Sequence, residues 1–182
     1  MPKGMYGTVR IADSIVTKIP RKPEWAEPEA AVGRTIMSLP FAELYYCAPT
    51  DASLTMPYRG IRIDKVSVTI KTIKHLLDGL SILHDADMIH GDITPTNILV
   101  DTDGIPRFID FWRPNAGRIS AYSSPEERAA GKWMNSKAID CWRLGRVLNE
   151  VFGDNSIIDG LLDEDPVTRL TASQAHNLCF SK

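Results

Sequence analysis

The sequence predicts an α+β fold in two lobes, a small strand-rich lobe over residues 1–57 followed by a mainly helical lobe over residues 58–182. Three observations predict it. Strand-like alternation is concentrated at the front of the chain, two strong helical repeats fall later, and Pro57 and Gly60 interrupt regular structure between them. A chain of 182 residues suits one domain, or two small lobes sharing a cleft.

In order along the chain, GTVRIADSIVTKI alternates as a strand, a tight turn at Asp13-Ser14 and a second strand. A Pro-rich linker follows. The Ala, Val, Ile and Met positions after Pro28 then fit a short helix, with Pro28 near its first turn. ELYYCAPTDASLTMPYRG reads as two short strands around a turn. SVTIKTIKHLLDGLSILH is an amphipathic helix, because Ile70, Ile73, Leu77, Leu80 and Leu83 fall three and four residues apart. NILVDTDGIPRFIDF reads as a hairpin turning at Asp103-Gly104. In SSPEERAA, Ser124 caps a helix and Pro125 takes its first position. IDCWRLGRVLNEVFG is apolar nearly all round and predicts a buried helix. Thr171 and Gln174 stand in capping-box spacing at the start of a last short helix.

Composition narrows the function classes. The formal charge is −2 with both signs mixed along the chain, so the clustered basic stripe of a nucleic-acid binder is absent. No apolar run approaches the roughly 18–20 residues of a membrane span, and MPKGMYGTVR lacks an apolar signal-peptide core. Cys47, Cys141 and Cys179 are odd in number and irregular in spacing. That pattern predicts buried free thiols and a reducing, cytoplasmic setting rather than a disulfide framework or a zinc knuckle.

The segment HGDITPTNILVDTDGIPRFIDFW carries three polar groups in apolar surroundings: Asp92, Asn97 and Asp110. Asp92 sits in a bend, Asn97 where the next strand begins, and Asp110 at the end of the returning strand. The hairpin can set Asn97 and Asp110 side by side at its open end. An amide oxygen and a carboxylate are hard donors suited to Mg²⁺, and a separate carboxylate could orient and deprotonate an attacking hydroxyl. Metal plus positioned acceptor is the minimal kit for phosphoryl transfer. Taken singly, each residue is equally a turn or cap residue.

Taken together, HGDITPTN resembles the catalytic loop of the eukaryotic-like protein kinases, and IDFW resembles their Asp-Phe-Gly motif. The resemblance implies a bilobal kinase fold with a reduced first lobe and an abbreviated second one. It implies Asp92 as catalytic base and Asn97 and Asp110 as metal-holding residues, with ATP and Mg²⁺ as cofactors. GMYGTV is similar to the second half of a glycine-rich phosphate loop, which brings in Gly4, Gly7 and Val9. IVTK then resembles the lysine strand, with Val16 and Lys18 on one face and Lys18 reaching the α- and β-phosphates. Its helix partner is Glu29, with Glu27 the runner-up. SLTMPYRG resembles the hinge, with Met56 beside the adenine and Tyr58 offering backbone hydrogen bonds; Val9 and Val16 above and Leu99 below would sandwich the ring. SSPEE resembles the Ala-Pro-Glu motif, whose Glu126 would pair with Arg169, and Asp140 would brace the catalytic loop.

Several positions depart from that pattern. Pro2 falls where the first loop glycine would stand, which leaves the phosphate lid loose or to be completed by a partner. Gly91 replaces the Arg before the catalytic Asp, which argues against a switch based on a phosphorylated loop. Thr94 replaces a γ-phosphate lysine, a loss worth about 10²–10³ in rate where one such donor is removed. Trp112 replaces the motif's Gly, and the tail after Phe152 is short. The small size is similar to that of virus-encoded or effector kinases. The resulting expectation is Mg-ATP-dependent phosphoryl transfer to Ser or Thr of a protein substrate. The alternatives are a pseudokinase that binds a regulated partner and, third, a small-molecule phosphotransferase.

Overall fold

The computed structural model describes residues 7–111, 119–153 and 155–179. Strand β1 (Gly7–Ala12) returns as β2 (Ile15–Pro20) through the two-residue turn read from the sequence. Asp13 and Ser14 both take positive φ, 50° and 61°, the backbone twist that a two-residue hairpin needs. Helix α1 (Ala26–Met37) follows, with Pro28 in its first turn, where its missing N–H costs nothing. Next come α2 (Ala42–Tyr45), β3 (Tyr46–Cys47), β4 (Thr55–Pro57) and β5 (Ile61–Arg62).

Strands β3 and β4 correct the expectation of two strands around one turn. They belong to different sheets. β4 extends the first sheet, in the order β1-β2-β4, while β3 joins a second sheet. That second sheet is completed by β6 (Ile98–Val100) and β7 (Pro106–Ile109), in the order β3-β7-β6-β5. β3 runs parallel to β7, pairing Tyr46 with Phe108, so no hairpin could have made it. The β6–β7 hairpin turns where the Asp-Gly signal lies, with Gly104 at φ 77°.

The helical part begins with α3 (Ile70–Asp85). Thr69 caps it, accepting from the Thr72 N–H. Ile73, Leu76, Leu77, Leu80 and Leu83 of α3 are buried, and they pack with Tyr46 and Phe108 of the second sheet in one core. Ile70, expected on the same stripe, is 44% exposed at the first position of α3. α4 (Pro125–Ala130) starts on a Ser124–Glu127 capping box and stops at Gly131, φ 62°. α5 (Lys137–Val151) buries Leu144, Val147 and Leu148. A further short helix, α6 (Ser156–Leu161), was not legible in the sequence, since it spans fewer than two turns. α7 (Ala172–Leu178) starts on the expected Thr171–Gln174 box. All three cysteines are buried and unpaired. Among the described residues, no helix is long and apolar enough to cross a membrane.

Gly33 sets how closely α1 approaches the segment before β4. A Cβ at Gly33 would lie 1.7 Å from the Pro49 carbonyl oxygen. Gly33→Ala is therefore expected to destabilise the chain by about 1–3 kcal/mol, although Ala is the better helix former by about 1 kcal/mol. The urea midpoint reads this directly; an unchanged or higher midpoint contradicts it.

Candidate active site

The inner face of the first hairpin supplies the cation. Lys18 pairs across with Val9, and Val16 lies two residues before it, so the three share one face. The Lys18 ammonium donates to Glu29 of α1 and, at 2.7 Å, to Asp110 just after β7. Three separate segments therefore meet at one nitrogen. Burial pulls the Lys18 pKa down, but Asp110 and then Glu29 more than reverse this and hold the ammonium above its ordinary value. Burial pushes the Glu29 carboxyl up, and Lys18 draws it part of the way back. Of the two glutamates left open by the sequence, Glu29 takes the lysine; Glu27 pairs instead with Arg34 at 2.6 Å. The register of α1 decides this, since Glu29 is buried and Glu27 exposed.

These groups line a cavity of about 110 Å³ together with Val9, Val16 and Met56. Val32, Gly33, Pro49 and Phe111 line it too. Sequence reasoning passed over them, although a glycine inside a helical repeat was a signal of close approach. The cavity is well below the roughly 300–1,000 Å³ of ordinary small-molecule sites.

Several expected nucleotide contacts stand elsewhere. Leu99 lies in β6, paired with Arg62 and Arg107, outside the lining of this cavity. The Tyr58 N–H donates to the Ser14 carbonyl at 2.8 Å, so the first hairpin's turn takes one of the backbone groups expected to bond the adenine. Gly7 lies in β1, and a Cβ there would come within 2.3 Å of the Ile19 carbonyl oxygen. Its side-chain absence therefore serves strand pairing. Gly4 and Trp112 fall outside the described residues.

The second half of the site is built on the loop before β6. Asp92 follows Gly91, which takes φ 77°. Asn97, 7% exposed, turns its amide NH₂ back to the Asp92 carbonyl at 2.8 Å and the Asp92 carboxylate at 3.0 Å. The loop thus closes on itself, and Asp110, at φ 66°, faces Lys18 instead. Asp140 braces the loop from α5 as expected, accepting from the His90 and Gly91 N–H groups at 2.8 and 2.9 Å. His90 packs against the rings of Phe108 and Phe111, and burial lowers its pKa. Asp92 opens into a separate cavity of about 320 Å³, lined also by Thr94, Tyr122, Trp133, Arg143 and Glu150. Arg143 was missed by sequence reasoning. Its signal was an arginine in the middle of a buried helix.

Chemically, the arrangement offers a partly buried ammonium for phosphate oxygens and a carboxylate held at the edge of an open cavity. Asn97 and Asp110 present hard oxygen donors. Among the described residues, no three His, Cys, Asp or Glu side chains converge as a metal site. A Mg²⁺ held here would therefore rely on Asn97, Asp110 and the nucleotide's own phosphates, which is how that ion is usually bound. Farther out, Arg169 pairs with Glu126 through two hydrogen bonds, 2.8 and 3.0 Å, as the sequence led us to expect.

No family model matches the chain. It is 30% identical over 102 residues to a probable cell division protein kinase of Encephalitozoon cuniculi, covering 52% of this chain and 32% of that protein. It is 29% identical over 105 residues to the mitogen-activated protein kinase pmk-1 of Caenorhabditis elegans, covering 54% and 28%. A second probable cell division protein kinase of E. cuniculi is 28% identical over 137 residues, covering 65% and 52%. The matched part thus spans about a third or less of the first two relatives and about half of the third.

Proposed function

We propose, for a chain related in sequence and fold to the eukaryotic protein kinases, that it transfers the γ-phosphoryl group of ATP to a Ser or Thr hydroxyl of a protein substrate in the cytoplasm. One observation carries the reading: Lys18, on β2 of the first sheet, is held by Glu29 and by Asp110, and Asp110 follows β7, the neighbour in the second sheet of β6, whose preceding loop presents Asp92 and Asn97. Phosphoryl transfer needs little covalent chemistry from a protein and much positioning. Lys18 would bind the α- and β-phosphate oxygens. Asp92 would accept the hydroxyl proton from a side chain entering its cavity. Mg²⁺, where bound, would neutralise phosphate charge, with Asn97 and Asp110 as its protein donors.

Thermal melting with Mg-ATP tests the binding step. A ligand at about 100 times its Kd stabilises by about 2.7 kcal/mol, which for a chain of this size is a rise of roughly 5–10 °C. Asp110→Ala is expected to abolish the rise. A rise of equal size in that variant would remove Asp110 from the site.

A second reading, a non-catalytic binding mimic, is favoured by three features. These are the small Lys18 cavity, the occupied Tyr58 amide, and Thr94 where a cation would serve the γ-phosphate. Absence of any Mg-ATP shift together with a stable complex with a partner protein would select it. The third reading, transfer to a small molecule, is disfavoured by the Glu126–Arg169 pair, which is similar to that of the protein-kinase large lobe.

A further inference from the structure

The Asp92 cavity contains a cation that the proposed reaction does not use. Arg143 is 4% exposed and projects from the middle of α5. One guanidinium nitrogen donates to the Gly91 carbonyl oxygen, and the other donates to Glu127 at 2.7 Å. Its plane lies over the Trp133 ring, 5.7 Å from the centroid. Glu127 is fully buried and receives two further donors, the Ser124 and Met134 N–H groups, each at 3.0 Å. The charge pair is therefore complete within the chain.

A side chain at Gly91 would be strained by the backbone and would crowd its neighbours. The Gly91 φ is 77°, and a Cβ would lie 2.8 Å from Asn135 Oδ1 and 3.4 Å from the Trp133 ring. Both of its backbone polar groups are taken by one helix. Asp140 accepts from the Gly91 N–H at 2.9 Å, and Arg143 donates to the Gly91 carbonyl. Residues three apart on a helix share a face, so Asp140 and Arg143 grip the two peptide groups that flank Gly91. The second of those peptides is the one that carries Asp92. A left-handed glycine left free would rotate; this one is pinned on both sides.

We propose that Arg143 is a positioning residue for Asp92, holding the catalytic loop from α5 with Glu127 as its built-in counter-ion. This rests on the reading of Asp92 as the proton acceptor. Because Glu127 satisfies the guanidinium, the loop needs no added anion to be set. The cation that orders the loop comes from the helix below it, and the loop residue itself is reduced to glycine to admit it.

The test compares the wild-type full chain with Arg143→Leu/Glu127→Gln and with Arg143→Lys. The double variant removes both charges together, which spares the fold an unpaired buried carboxylate, and Gln keeps the helix-capping position. Circular dichroism and a cooperative melt establish that it folds. Amide hydrogen exchange is expected to accelerate about 10-fold or more over His90–Asn97, with α3 unchanged. Phosphoryl-transfer turnover is expected to fall about 10²-fold, with KM for ATP within about 3-fold, because misplacing the acceptor harms the chemical step and spares nucleotide binding. Arg143→Lys, with one contact in place of two, falls between. Wild-type exchange over His90–Asn97 in the folded double variant overturns the proposal, as does equal acceleration throughout the chain. Should the wild type transfer no phosphate, the exchange data still decide the role of Arg143, and the missing turnover counts against the proposed reaction alone.

Discussion

Asp92→Asn is expected to lower phosphoryl transfer by about 10²–10⁴-fold, the range a positioned general base supplies, while the Mg-ATP thermal shift stays within error of the wild type. The substitution suits the geometry. Asn is the same shape as Asp, and its oxygen can still accept from Asn97, which donates to the Asp92 carboxylate at 3.0 Å. Loop structure and the Asp140 brace are preserved, so what disappears is proton-accepting capacity. Nucleotide binding is spared because the ammonium of Lys18 and the carboxylate of Asp110 line a different cavity. Transfer of radiolabelled phosphate to itself or to a generic protein acceptor provides the measurement. Equal rates in the variant and the wild type would remove Asp92 from the chemistry, and with it the reading of the chain as an enzyme of this kind.

Arg169→Ala is expected to give the largest loss of stability, about 3–5 kcal/mol, the usual consequence of stripping one partner from a buried ion pair. At roughly 2–4 °C per kcal/mol for a chain of this size, the melting temperature falls by about 10 °C. Arg169 is 4% exposed, and its guanidinium ties α4, α5 and the loop after α6 together. It bonds both oxygens of Glu126 and the carbonyls of Ala138, Asp163 and Glu164. It also lies over the Trp142 ring, 5.1 Å from the centroid. Truncation leaves a carboxylate and three carbonyls without their donor. The pH dependence has a defined sign. Burial alone would raise the Glu126 pKa, but the hydrogen bonds and charge of Arg169 bring it below its ordinary 4.5. The stabilisation is thus present above that value and is lost as pH falls through the lowered one. The wild type should lose its advantage over Arg169→Ala in strong acid, and a gap that stays constant there would refute the pairing as its source.

The parts of the fold legible in the sequence are those fixed by local chemistry. Two residues at positive φ make the Asp13-Ser14 turn, and capping boxes at Ser124 and Thr171 mark helix starts on their own. Lys18 and Glu29 were readable only through the resemblance to the kinase lysine strand and its helix carboxylate, since strand alternation and helix position alone leave an edge charge and an N-terminal helix charge. What stayed hidden depends on distant partners. β3 exists because β7 lies beside it, about sixty residues on, and nothing within ELYYCAPT announces that pairing. Ile70 obeys the helical period but, as the first residue of α3, stays exposed. Tyr58 loses its amide to Ser14, a residue of another hairpin. Arg143 was visible as a charge in a greasy helix, but only the fold reveals that Gly91, fifty-two residues earlier, is its partner.

The ammonium of Lys18 joins β2, α1 and the exit from β7, and so behaves as a rivet through the middle of the molecule. A polyanion arriving at that point competes with Asp110 for the same N–H donors. Its affinity then reports the difference between two ionic contacts.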